Sequence, residues 1–206
     1  MFRNEDPSYN KTMLTYEDLE YRLRNHGSIL SFQKVLDAYE MAKSVHEFQV
    51  RNDGTPYFFH STRVVRILLD ELSIYDEDVL IAALLHDVLE DSDTITRGVL
   101  EFNFGSYVAY IVETLTKDLR RAARNPDDVD LEHVRRLSNS SDDCLVIKLT
   151  ARLDNIRCLS FNLKRNPLIY LTNTLDRYVP IVAESRNPKL TRLVQEIRQE
   201  ANKFLG

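Results

Sequence analysis

Residues 83–93 read ALLHDVLEDSD. His86, Asp87, Glu90 and Asp91 follow an apolar run, and no basic residue in the stretch balances them. Burying part of such a segment is costly unless a cation lies among the carboxylates, and a metal ion would be one. On a helix, residues three and four apart share a face. His86 then falls beside Glu90, and Asp87 beside Glu90 and Asp91, so all four are expected to point into one cleft while Ala83, Leu84, Val88 and Leu89 pack elsewhere. An imidazole nitrogen and a carboxylate oxygen suit a divalent transition metal. More ligands are needed, and His60, which closes the aromatic run PYFFH, is the candidate. A His-Asp pair also fits an ordinary surface N–H···O contact, so the residues alone leave both readings open.

The elements that must position these groups read as helices. Only five of 206 residues are glycine, whereas tight hairpins and phosphate-cradling loops use glycine freely. TYEDLEYRLRNHG predicts a short helix capped by Thr15, with Asp18 three residues on and Gly27 past its end. SILSFQKVLDAYEMAKSVH predicts a longer one, with Ile29, Phe32, Val35, Leu36, Tyr39 and Ala42 on one stripe. Asn-Asp-Gly-Thr-Pro at 52–56 is a turn signal. Helices are expected over 61–72, over YDEDVLIAALLHDVLED with acids in its first turn, on either side of a break at Phe104–Gly105, and from near Asp142. Two more are expected at about 168–184 and 188–203, each opened by Asn-Pro. Residues 1–14 read as a loose arm and 120–130 as a mobile polar loop. The expected fold is all-α, a multi-helix bundle in one domain over 1–206.

Composition excludes several functions. The net charge of −5 and pI near 5.6 argue against nucleic-acid binding, which needs a basic face. The longest apolar run, VLIAALL, is too short to span a bilayer, so no membrane partner is expected. The opening MFRNEDPSYNK has no apolar run and does not read as a signal peptide. Cys144 and Cys158 lack metal or disulfide spacing, which fits reduced thiols in a cytoplasmic protein.

ALLHDVLED resembles the LLHDvvED core of the HD phosphohydrolase superfamily, in its guanosine tetraphosphate branch. AKSVHEFQVRNDGTPYFFHS, FNFGSYVAYIVETLTK and LVIKLTARLDNIRCL resemble further segments of that branch, in order, and the helix at 61–72 corresponds to the one after its first metal histidine. The resemblance covers about 29–160, with C-terminal helices at 165–204 beyond it, and is similar to the small alarmone hydrolases. It implies an HD-domain bundle that removes the 3′-pyrophosphate from ppGpp or pppGpp. The implied metal ligands are His60, His86 and Asp87, for Mn2+ or another divalent ion, with Glu90 and Asp91 as the catalytic acidic pair. A neighbouring carboxylate can align a water or take its proton. Arg51 matches an arginine that stacks on the guanine base, and Tyr57, Lys148, Arg152, Asn155 and Arg157 match positions around the pocket. Lys148, Arg152 and Asn155 can share one helix face. Lys117, Arg120, Arg121 and Arg124 form a basic cluster that fits either substrate capture or a solvated face.

The pattern breaks at one ligand. Where the family has Asp in K-L-A-D-R-L-H-N, this chain has Ala151, and Asp154 stands where the family has His. Residues 151 and 154 lie about 4.5 Å apart along a helix axis, so Asp154 is the expected substitute ligand. Three functions follow. The first is a metal-dependent ppGpp 3′-pyrophosphohydrolase. The second is another nucleotide phosphohydrolase, such as one acting on NADPH, and the third an alarmone-binding protein without turnover. The expected partner is a small guanine nucleotide; the sequence leaves the oligomeric state open.

Overall fold

A computed structural model describes residues 8–27, 32–162 and 166–205, excluding the side chains of residues 119 and 120. Ile29, residues 1–7 of the expected arm and the Arg120 side chain lie outside the described residues. The described residues form helices and no strand; the nearest approach to one is an isolated antiparallel bridge between Val50 and Pro56. That bridge closes the 52–56 turn, where Gly54 takes φ 82°, a left-handed conformation that glycine adopts without steric cost.

The centre of the molecule is α4 (Glu77–Leu85). Asp76 caps it by accepting from the Val79 N–H, Glu77 and Asp78 face the positive end of its dipole, and every residue from Val79 to Leu85 is buried. A helix apolar all round must be enclosed. It is surrounded by α2 (Gln33–Val45), α3 (Phe58–Arg66), α7 (Ser106–Leu115) and α10 (Asp142–Arg157). α3 runs on through a π-type turn at Ile67–Glu71. α1 (Tyr16–His26) starts at Thr15, whose side chain accepts from the Asp18 N–H, and ends at Gly27, as the sequence predicts. α6 (Arg97–Phe104) and α7 meet at Gly105, φ 96°. At the C-terminal side, α11 (Pro167–Asn173) leads to α12 (Pro188–Leu205), which lays Leu190, Leu193, Ile197 and Ala201 against the bundle, chiefly on α10. Each buried leucine or isoleucine there contributes about 1.5–3 kcal/mol.

Three expectations are corrected. The helix over 76–91 is not continuous: it stops at Leu85, turns at His86–Asp87, and resumes as the single turn α5 (Val88–Asp91). The cause is local. His86 Nδ1 donates to the Ala83 carbonyl at 2.8 Å, the acceptor that the Asp87 N–H would use in an unbroken helix.

Residues 120–130 are not a loop throughout. α8 (Leu119–Ala122) and α9 (Pro126–Ser138) occupy most of the span. Asn125-Pro126 with Asp127 and Asp128 in the first turn is the same helix-start signal as at the two C-terminal helices.

Residues 8–14 are not loose. Asn10 and Leu14 are buried, the Leu14 N–H donates to Thr62 Oγ1, and Arg63 donates to the carbonyls of Asn10 and Thr12. A fully buried guanidinium needs acceptors, and the arm contributes two of them.

Candidate metal centre and its cavity

The break at His86–Asp87 turns both side chains toward His60 on α3. His60 and His86 are each 3% exposed, and one ligand atom from each, with one Asp87 oxygen, lie within 4.8 Å of one another. The tautomers follow from the partners, because a carbonyl or carboxylate only accepts. His60 Nδ1 donates to Asp154 Oδ2 at 2.6 Å and His86 Nδ1 to the Ala83 carbonyl, which leaves an Nε2 lone pair on each ring. His86 Nε2 lies 3.2 Å from Asp87 Oδ2, so a nitrogen lone pair faces a carboxylate oxygen. A positive charge must sit between them, either a proton or a metal ion. Two imidazole nitrogens and one carboxylate oxygen fit a divalent transition metal. Tyr57 donates to Asp87 Oδ2 at 2.7 Å and fixes that carboxylate.

Burial pushes His60 down to about 4, with Arg51 adding to the fall against the Asp154 hydrogen bond. The ring is therefore neutral near pH 7, the form that binds metal. Burial alone would raise Asp87, but His86 holds its carboxyl well below the usual range. Glu90 is raised by burial and by Asp87, against the pull of Lys148. Asp91 is raised to about 6 by burial and Asp87.

These donors stand at one end of a cavity of about 310 Å3. Arg51, Tyr57, Glu90, Lys148, Arg152 and Asn155 line it, as do Lys117, Ala151, Asn162 and Tyr170. Arg51 donates to Asn155 Oδ1 at 2.5 Å. Glu90 Oε1 accepts from the Lys117 backbone N–H. Burial, and then Lys117, push the Lys148 ammonium down to about 8. Arg152 is clamped from the C-terminal side: its guanidinium lies 3.7 Å from the Tyr178 ring centre and 4.7 Å from that of Tyr170, and it donates to Asn173 and Thr174.

Three expected site residues lie elsewhere. Asp91 does not line the cavity; the helix break turns it toward His46, 3.7 Å away. Arg157 points to the other side of α10, onto Glu71, Glu196 and Glu200. Asp154 is outside the donor group. It stands behind His60, fully buried, and accepts from His60, Arg63 and Tyr9. Ala151 lines the cavity and offers no ligand atom. The basic cluster also divides: Lys117 faces the cavity and bonds Asp130, whereas Arg121 pairs with Glu132. Sequence reasoning missed Tyr9, Arg63 and Tyr170. For Arg63 a signal exists, since it lies three residues after His60 and thus on the same face; for Tyr9 and Tyr170, which come from distant segments, none does.

Helices from separate parts of the chain thus bring two histidines and an aspartate together at the wall of a cation-lined cavity, a donor set that suits a divalent ion. The family model described as HD domain matches residues 38–199, and the chain belongs to that family. Among its relatives, the mouse (Mus musculus) guanosine-3′,5′-bis(diphosphate) 3′-pyrophosphohydrolase MESH1 is 39% identical over 131 residues, covering 62% of this chain and 70% of that protein. The Aquifex aeolicus protein of the same enzyme name is 32% identical over 165 residues, 80% of this chain. The chain spans about a quarter of the length of that relative and of the Vibrio cholerae one (23% and 24%). A solved structure described as a metazoan ortholog of SpoT that hydrolyzes ppGpp superimposes with a TM-score of 0.69 at 30% identity, covering 81% of this chain and 94% of that one.

Proposed function

We propose that the chain is a cytoplasmic, Mn2+-dependent guanosine-3′,5′-bis(diphosphate) 3′-pyrophosphohydrolase, acting as one domain on ppGpp or pppGpp. The observation that carries this reading is the donor triplet His60, His86 and Asp87 beside Arg51, Lys117, Lys148 and Arg152 in one cavity, read with the names of the relatives. When bound, a divalent ion would supply a water acidic enough to deliver hydroxide near neutral pH. His60 and His86 would hold it through Nε2, and Asp87 through an oxygen kept in place by Tyr57.

In the reaction, water oxygen bonds to the phosphorus attached to the ribose 3′ oxygen, the P–O3′ bond breaks, and pyrophosphate leaves. Glu90, raised by its surroundings, takes the proton of the attacking water, and O3′ gains a proton in turn. Lys148 and Lys117 offset charge on the transferring phosphoryl oxygens. Arg51, planar and beside Asn155, is the surface for the base. Asp91 acts indirectly, beside His46, and Arg157 holds α10 against α12 rather than touching substrate.

The test is incubation of the protein with ppGpp and Mn2+, beside a panel containing NADPH. Pyrophosphate and GDP in equal amounts, abolished by chelator and by His86→Ala, are expected. Tight ppGpp binding with no pyrophosphate would make the chain a binding protein, and Ala151 at the cavity wall is the observation that favours that second reading.

A further inference from the structure

Asp154 is the most heavily bonded carboxylate behind the donor group. Its Oδ1 accepts from Arg63 Nε at 2.7 Å and from the Tyr9 hydroxyl at 2.9 Å; its Oδ2 accepts from His60 Nδ1 at 2.6 Å and from Arg63 at 3.1 Å. Asp154 and Arg63 are both fully buried. Arg63 in turn donates to the carbonyls of Asn10 and Thr12, and its guanidinium lies 5.5 Å from the Tyr9 ring centre. Residues 9–12, Arg63, Asp154 and His60 thus form one connected chain of hydrogen bonds, which ends at the ring nitrogen opposite the one offered to the ion.

We infer that Asp154 is a positioning residue, not a ligand, and that the N-terminal arm acts through it: Tyr9 and Arg63 fix Asp154, and Asp154 fixes His60 with Nε2 free for the ion. This rests on the metal-dependent reading above. An outer carboxylate on a ligating histidine sets its tautomer and ring orientation, and its loss typically costs about 10- to 100-fold in metal affinity. Ala151 makes the dependence stronger in this chain, because among the described residues an ion would find three donors in the group and each must be well aimed.

The experiment uses the metal-free full chain titrated with Mn2+ alone and followed by electron paramagnetic resonance, together with nitrogen-15 NMR of the histidine rings. Wild type is expected to show His60 protonated at Nδ1 before metal is added. Asp154→Asn is expected to lose that single tautomer, because the amide keeps one acceptor oxygen where two are used and an Nδ2 turned toward His60 requires a lone pair at its Nδ1, and to bind Mn2+ about 10- to 100-fold more weakly. Tyr9→Phe keeps the buried ion pair and so serves even where Asp154→Asn does not fold; about fivefold weaker Mn2+ binding is expected, the worth of one hydrogen bond.

An Nε2-protonated His60 in wild type, or Asp154→Asn binding as tightly as wild type, overturns the role of Asp154. Tyr9→Phe binding as tightly as wild type overturns the role of the arm. A wild-type chain that takes up no divalent ion at all sinks the hydrolase reading instead, while the His60 tautomer still decides the positioning claim.

Discussion

At the His60–His86–Asp87 wall of the cavity each imidazole has its Nδ1 tied to the protein behind it, and Nε2 of His86 meets Asp87 Oδ2 at 3.2 Å. Behind Lys117, at Asp130, every direction is taken: Oδ1 accepts from Lys117 and Tyr178, and Oδ2 from Asn173 and Arg177. Both clusters centre on an aspartate that accepts from a tyrosine hydroxyl, and both are largely buried. They differ in unspent bonding capacity. The first group gathers one donor atom from each of three residues within 4.8 Å of one another at the cavity wall, so it can take a ligand. The second is closed, and it ties α9 and α11 to the cavity wall. A cluster of carboxylates and bases is thus a site or a fastening according to how many of its bonds are already made.

The sharpest break of that contrast is His86→Ala. Removing a donor outright should cost more than the ~100-fold that loss of an outer partner brings, in Mn2+ affinity and in pyrophosphate release alike, while the melting temperature of the metal-free protein changes little by comparison.

Asp130→Asn should do the reverse. It should lower stability by about 3 kcal/mol, as when one partner of a buried pair is removed, read by urea unfolding. Its sign with pH is fixed. Burial would raise Asp130, but the bonds from Lys117 and Tyr178 and the Lys117 charge hold it well below the ordinary carboxylate range. A depressed carboxyl stabilises the fold above its unfolded pKa, about 4, and that stabilisation fades as pH falls toward the folded value. The gap between wild type and Asp130→Asn should therefore be full at neutral pH and shrink below about pH 4.

Ala151→Asp adds a carboxylate to the open cluster and should tighten Mn2+ binding by about tenfold, ~1.4 kcal/mol; an unchanged affinity would show that position 151 does not face the ion. Arg157→Gln is the smallest test. It should leave the nucleotide KM unchanged and cost about 1 kcal/mol of stability, since Arg157 meets Glu71, Glu196, Glu200 and Tyr9 and does not line the cavity. A raised KM would return it to the cavity.

Much of this was legible from the sequence, because it is written locally. Thr15, Gly27, the 52–56 turn and Gly105 mark element ends through backbone chemistry, and His60, His86 and Asp87 stand in motifs that resemble a family. The break after Leu85 was not legible. Val79–Leu85 is buried on all sides, so no periodicity survives to show where the helix stops, and the stop depends on a side-chain bond to Ala83. The place of Asp154 behind His60, outside the donor group, is not legible either, because helix spacing fixes a residue's height and face but not which side of His60 it meets. That choice belongs to Arg63 and to the arm, which is remote in sequence.

The enclosed α4 stops at Leu85, and its C-cap His86 ties the donor group to a helix buried on all sides. Amides over 80–85 should exchange with deuterium only through global opening, whereas those near 119–125, on a short helix and turn, should exchange early. A donor at the end of so protected a segment cannot loosen alone, so whatever occupies the cluster will slow exchange across the whole bundle and raise its melting point.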